Sequence, residues 1–331
     1  MDAQQIRDQL QAIWGYSDFR SPQGEIVDCL LQGKDALVVL PTGGGKSICF
    51  QLPALLQTGL TLVVSPLVAL MENQVQELQQ RQLPAASLHS EIPRFQRQRI
   101  LQQLEAQKLR LLYLSPETLL SPPVWERLLA PELGINGLIL DEAHCLVQWG
   151  ETFRPAYRRL GVARSRLLKT KPEGNKIVVA AFTATADPIA QQTIETCLQL
   201  RDPIYFQQSP YRNNLRLQVK RVCTPAQRKK KLIEFIVPRK QQSGLIYARS
   251  RATTETLSQW LNSLGYHSAA YHAGLSASER RKIEQDWIEG RIQFVNATCA
   301  FGMGINKPNL RWVIHYQPPL LLSEYLQEIG R

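Results

Sequence analysis

A glycine-rich heptapeptide placed directly behind a strand-length apolar run leaves this chain few folds to choose from. Asp35–Leu40 reads as a buried strand, and Pro41-Thr42-Gly43-Gly44-Gly45-Lys46-Ser47 follows it at once. Three successive glycines let backbone N–H groups wrap a phosphate at the start of the next helix, where the helix dipole favours an anion. Thr42, Gly43, Gly44 and Gly45 thus form a candidate phosphate cradle. Lys46 offers a point charge to the outer phosphates and Ser47 a hydroxyl for magnesium. The strict GxxxxGK pattern is not met, because Leu40 stands where its first glycine should be. Further on, the apolar run Gly137–Leu140 ends in Asp141-Glu142-Ala143-His144. A carboxylate pair thrown out of a buried strand can anchor a metal through Asp141 and polarise water through Glu142. Both motifs, in this order and each behind a strand, imply a site for a nucleoside triphosphate.

The chain has 331 residues, enough for two domains with separate cores. Short β-branched runs alternate with longer amphipathic stretches. Strands are expected at Asp35–Leu40, Leu62–Ser65, Leu111–Ser115, Gly137–Leu140, Lys176–Phe182 and Ile204–Phe206, with helical patterns such as Leu67–Gln80 and Phe95–Gln107 between them. Continuous apolar strands joined by helices indicate a mostly parallel sheet with helices on both faces. Function should then gather at the carboxyl ends of the strands. The polar stretch 207–214 reads as a linker, giving domains 1–208 and 209–331. In the second, strands are expected at Leu217–Val222, Gly244–Tyr247, Ala269–Tyr271, Gln293–Ala297 and Arg311–His315, and a helix at Leu322–Ile329.

Net charge is +11, and its distribution is lopsided. Residues 1–208 hold 20 Lys and Arg against 20 Asp and Glu, whereas residues 209–331 hold 19 against 8. A whole domain with that excess is expected to face a polyanion, and nucleic acid is the natural one. Every apolar run is short and broken by Gly, Pro or charge, which excludes a membrane-spanning helix, and the start Met-Asp-Ala-Gln-Gln lacks the features of a secretory signal. Six scattered cysteines without a CxxC pair speak against structural zinc and disulfides and for a reducing cytoplasm. His89, His267 and His315 have no ligand-spaced partners and read as structural.

Further segments point to one family. Trp14-Gly15-Tyr16-Ser17-Asp18-Phe19-Arg20-Ser21-Pro22-Gln23 resembles the adenine-reading motif of the RecQ DNA helicases. Val64-Ser65-Pro66-Leu67, Tyr113-Leu114-Ser115-Pro116-Glu117 and Ala181-Phe182-Thr183-Ala184-Thr185-Ala186 resemble later motifs of that family, as do Tyr271-His272-Ala273-Gly274-Leu275 and Ala300–Pro308. The stretch Leu146–Tyr157 is similar to the family's aromatic-rich loop, which senses single-stranded DNA; it departs at Glu151-Thr152, where the family commonly has His-Asp.

The resemblance implies two tandem RecA-like domains, ATP and Mg²⁺ as cofactors, and 3′→5′ movement on single-stranded and partly duplex DNA. It implies a monomeric motor in a bacterial-type cytoplasm, associated with the nucleoid. Gln23 is expected to read the adenine edge, accepting and donating at once, with Tyr16 and Arg20 stacked on the base. Gly304 joins the nucleotide site from the second domain, and Gln327 and Arg331 complete catalysis there. His144, Thr183 and Thr185 relay between nucleotide and DNA, while Trp149, Phe153 and Arg154 meet the strand by stacking and charge. His272 can serve DNA or packing equally. The family's last motif continues beyond Arg331 to a second arginine, so a fragment of a longer protein, or a degenerate gene product, is expected to hydrolyse slowly. Two rivals stand beside this reading: a DNA-binding module that binds ATP without useful turnover, and an RNA-directed helicase, since Asp-Glu-Ala-His occurs there too.

Overall fold

This computed structural model describes residues 2–149, 156–299, 301 and 307–331. They form two compact units, Met1–Pro210 and Tyr211–Arg331. Seven strands build the first: β1 (Ala36–Val39), β2 (Leu60–Val64), β3 (Ala85–Leu88), β4 (Leu111–Leu114), β5 (Ile135–Leu140), β6 (Val178–Thr183) and β7 (Ile204–Gln207). Their spatial order is β3-β4-β2-β5-β6-β1-β7, and every pairing is parallel. Side chains alternate across such a sheet, so each strand feeds two cores. Leu37, Leu62, Leu138, Leu140 and Ala181 face one, with Ile100 and Leu104 of the helix Arg94–Glu105 and Ile194 of Pro188–Leu198. Val38, Val63, Ile139 and Phe182 face the other, with Phe50 of the helix Lys46–Leu56 and Met71 of Val68–Gln80. Both faces are therefore covered, as the unbroken apolar runs required.

The second unit repeats the design with β8 (Ser243–Tyr247), β9 (Ser268–Tyr271), β10 (Phe294–Ala297) and β11 (Leu310–His315), in the parallel order β11-β8-β10-β9. Ile246, Phe294 and Trp312 pack against the helices Pro225–Ile236 and Arg251–Ser263. Leu245, Val295 and Tyr271 pack on the opposite face, with Trp287 of Ala277–Ile288. Trp312 lies across β8 at Gly244, where a Cβ would overlap its ring.

Two sequence expectations need correction. Leu217–Val222 is not a strand: its apolar residues are interspersed with polar ones, yet Leu217 and Val219 are exposed, with no sheet face to bury them. Conversely, β3 went unseen. Its Ala85-Ala86-Ser87-Leu88 is too small and too polar to stand out, and it is a strand because β4 supplies the ladder partners. No helix among the described residues is long and apolar enough to cross a membrane.

Candidate nucleotide site and its surroundings

The motifs of the first unit meet because four of its strands, β2, β5, β6 and β1, lie side by side and point the same way. The ladder runs past the strand ends into the loops. Leu40 N donates to Thr183 O (3.0 Å), Ala143 N to Phe182 O (2.9 Å), and Asp141 N to Val64 O (2.9 Å). Loops that begin in a shared ladder start from fixed positions, which a reactive constellation requires.

The glycine-rich loop 41–47 takes a backbone that only its glycines permit. Gly43 and Gly45 lie in the left-handed region, with φ of +78° and +72°, and a Cβ on Gly44 would press on Pro41 O. Gly45 then caps the helix Lys46–Leu56. Lys46 Nζ donates to Leu40 O at 3.2 Å, so the ammonium is folded back along its own loop. Gln23 is buried against the loop. Its Nε2 donates to Gly44 O (3.0 Å) and Gly45 O (3.3 Å), and its Oε1 accepts from Arg20 N (3.0 Å). The amide expected to read adenine therefore also braces the phosphate cradle. Tyr16 and the Arg20 side chain are exposed.

At the end of β5 two carboxylates diverge in environment. Asp141 is buried, and that burial together with the negative Glu142 pushes its carboxyl up to about 7. Glu142 takes a left-handed φ of +52°, rare for a residue with a side chain, while its N–H donates to Asp141 Oδ1 (3.0 Å). The twist turns Glu142 toward His144, whose Nδ1 lies 3.3 Å from Glu142 Oε2 and 3.2 Å from Thr183 Oγ1. Thr183 Oγ1 in turn donates to Thr185 O (3.1 Å) and accepts from Thr185 N (3.3 Å). With its hydrogen committed to Thr185 O, the hydroxyl can only accept from the imidazole, so Nδ1 carries a proton. Burial opposes the imidazolium, but contacts with the Cys145 sulfur and the Glu142 carboxylate outweigh it and raise the ring's pKa to about 10.

Of the expected DNA-sensing residues, Trp149 ends the short helix Cys145–Trp149, while its side chain and all of Phe153 and Arg154 lie outside the described residues. Gly304 does too. Tyr157 is fully buried in the core. In the second unit, Gln327 lies on the helix Leu322–Ile329 and Arg331 just past it; Gln327 Nε2 and Arg331 Nε are buried with no hydrogen-bond partner among the described residues. His272 is buried with Nε2 2.9 Å from Glu255 Oε1. His89 is buried beside Glu72 at 3.5 Å. His315, also read as structural, pairs with Glu328 at 2.7 Å, next in sequence to Gln327. No ligand spacing links residues 315 and 328, so sequence offered no signal for that pair.

Comparison with known proteins agrees with this architecture. The family model described as DEAD/DEAH box helicase matches residues 20–193, and that of the helicase conserved C-terminal domain matches 227–331. The chain is 57% identical to the ATP-dependent DNA helicase RecQ of Synechocystis, over all of this chain and 68% of that protein. It is 39% identical to the RecQ of Pasteurella multocida, over 98% of this chain and 49% of that one. Among solved structures, the Mycobacterium smegmatis helicase Lhr bound to single-stranded DNA and AMP-PNP superimposes with a TM-score of 0.72 at 20% identity, covering 98% of this chain and 45% of Lhr. The two units are RecA-like helicase domains in tandem.

Proposed function

Because the chain belongs to the RecQ family of ATP-dependent DNA helicases, carrying both of its helicase domains, we propose that it binds Mg-ATP at the phosphate loop and couples hydrolysis to 3′→5′ movement on DNA. Its substrates are single-stranded and partly duplex DNA, and it works as a monomeric motor in the cytoplasm. The observation that carries this reading is the chain of contacts Glu142–His144–Thr183–Thr185 across the ends of β5 and β6. It joins the water-polarising carboxylate to the loop whose family counterpart links nucleotide and DNA.

In this mechanism Gln23 reads the adenine edge while bracing the loop, and Tyr16 and Arg20 lie against the base. Backbone N–H groups of residues 42–47 and the Lys46 ammonium hold the phosphates. Ser47 and Asp141 supply hydroxyl and carboxylate oxygens, the hard donors that magnesium prefers, and a buried carboxylate with a raised pKa gains from a cation beside it. Magnesium would neutralise charge developing on the transferring phosphoryl. Glu142, oriented by His144 Nδ1–H, polarises the attacking water. Gln327, Arg331 and Gly304 act from the second unit. Trp149, Phe153 and Arg154 carry the DNA signal through stacking, worth about 1–3 kcal/mol per base.

The test is phosphate release with and without single-stranded DNA. Glu142→Gln should keep ATP binding and abolish stimulated turnover, whereas Lys46→Ala should weaken both. Undiminished hydrolysis in Glu142→Gln would remove it from the mechanism. Stimulation by RNA in place of DNA would shift the reading to an RNA-directed helicase, and ATP binding without turnover would shift it to a binding module.

A further inference from the structure

The helix Leu322–Ile329 is attached in an unusual way. Its one buried residue among eight is Glu328, a carboxylate. Its N-terminus has no side-chain cap, and Leu320, Leu321 and Leu322 at that end are exposed. Apolar burial, which holds the other helices of the unit, is here replaced by a polar contact: Glu328 Oε2 lies 2.7 Å from His315 Nε2, at the end of β11. Both side chains are largely shielded, at 10% and 14% exposure. The imidazole is wedged between Tyr247 (centroids 5.7 Å apart, planes 16° apart) and Tyr325 (5.1 Å, 44°). Tyr247 Oη is fixed in turn by Phe301 O at 2.9 Å. A second tether, Arg212 Nη1 to Gly330 O at 3.0 Å, holds the backbone just past the helix.

Hydrophobic burial has no direction, whereas a hydrogen bond to a wedged ring sets how a helix is rotated about its axis. Gln327 shares the helix with Glu328, so fixing the helix's rotation fixes Gln327; Arg331 follows the helix by two residues, and the Arg212 tether at Gly330 sets the backbone that leads to it. We infer that the His315–Glu328 pair positions Gln327 and Arg331 for ATP hydrolysis, an inference that rests on the function proposed above. His315 and Glu328 touch neither ATP nor water in this scheme; they act through their neighbours. Their loss should therefore appear in kcat rather than in ATP binding, since the phosphate loop and Gln23 belong to the other unit.

The experiment compares DNA-stimulated ATP hydrolysis by the unmodified chain with that of His315→Ala, Glu328→Ala, the double variant, and the conservative His315→Gln and Glu328→Gln. Misplacement of a catalytic group by about 1 Å can cost about a hundredfold. The alanine variants should lose about ten- to a hundredfold in kcat, with KM for ATP changed less than about twofold. The double variant should lose no more than the worse single one. Glu328→Gln, which keeps an acceptor, should retain most of the rate. Amide exchange followed by mass spectrometry should speed up over residues 322–329 in the alanine variants and stay unchanged over β8 and β10, which separates release of this helix from misfolding. An unchanged kcat in the alanine variants, a loss expressed mainly in KM, or unchanged exchange over 322–329 would overturn the inference. If the alanine variants misfold, the two conservative variants decide: a KM-neutral kcat loss in His315→Gln larger than in Glu328→Gln supports it, and wild-type rates in both refute it. An unmodified chain that hydrolyses no ATP sinks the proposed function and this role together; one that hydrolyses normally and keeps its rate in all five variants sinks this inference alone.

Discussion

Asp35 shows how much one carboxylate can hold. It stands at the entry to β1 and receives Arg164 Nη1 (2.5 Å), Val179 N (2.8 Å) and Arg201 N (2.7 Å), while Arg164 also reaches Gln199 O. Both charged side chains are buried. Removing one member of such a pair strands the other, so Asp35→Ala should lower the unfolding free energy by about 3–5 kcal/mol, read from urea denaturation, with Asp35→Ala/Arg164→Ala far from additive. Gln23 is bound at both ends of its amide, and its truncation should loosen the phosphate cradle as well as lose the base edge. Gln23→Ala is expected to weaken ATP binding by about 1–3 kcal/mol and to narrow the preference over GTP, by competition with a fluorescent analogue. Equal affinity of the unmodified chain for GTP would sink that assignment. Glu142 is a residue that sequence singles out as a candidate but whose backbone it does not foretell: nothing in Asp-Glu-Ala-His announces a left-handed glutamate.

At the scale of elements, end signals explain why the helices begin where they do. Asp187 accepts from Ala190 N at 2.8 Å and Pro188 occupies the first turn, so Pro188–Leu198 starts directly after the Thr183–Thr185 loop. Asp187→Ala should cost about 1 kcal/mol, measured as a shifted thermal midpoint, and a shift no larger than that of an exposed control such as Gln192→Ala would contradict it. Gly45 is under two constraints: its left-handed backbone, and Gln23 Nε2, which a Cβ would strike. Gly45→Ala is therefore expected to reduce ATP affinity more than Gly43→Ala, whose Cβ would meet open space. The long apolar strands were legible because each is buried on both faces. β3 was not, since its small residues depend on β4, and Leu217–Val222 copied part of a strand's alternation without a neighbour to pair it.

Over the whole molecule, charge and chemistry are divided between the units. Residues 209–331 carry the entire excess of +11, while the phosphate loop and the carboxylates lie in the first unit. Affinity for single-stranded DNA should fall steeply between about 50 and 200 mM salt, in proportion to the phosphates neutralised, whereas ATP affinity should change far less. Fluorescence anisotropy at several salt concentrations checks it; a flat salt dependence would mean that the basic surface faces solvent alone. The chain spans 68% of its Synechocystis relative and about half of the Pasteurella one, so these measurements address the two helicase domains.

Sequence by itself determined the parallel α/β design, the two-part organisation, and the residue types of the candidate nucleotide site. Each of these is written in contiguous patterns: apolar runs, glycine spacing, acidic residues behind a strand. Tertiary structure alone decided which groups touch. His144 meets Thr183 because β5 and β6 are neighbours, Gln23 meets Gly44 because a preceding helix packs on the phosphate loop, and His315 meets Glu328 because a helix folds back onto β11. Such pairs are separated by 39, 21 and 13 positions. No local propensity encodes them; they exist only once strand order and helix packing have brought distant segments within hydrogen-bonding reach.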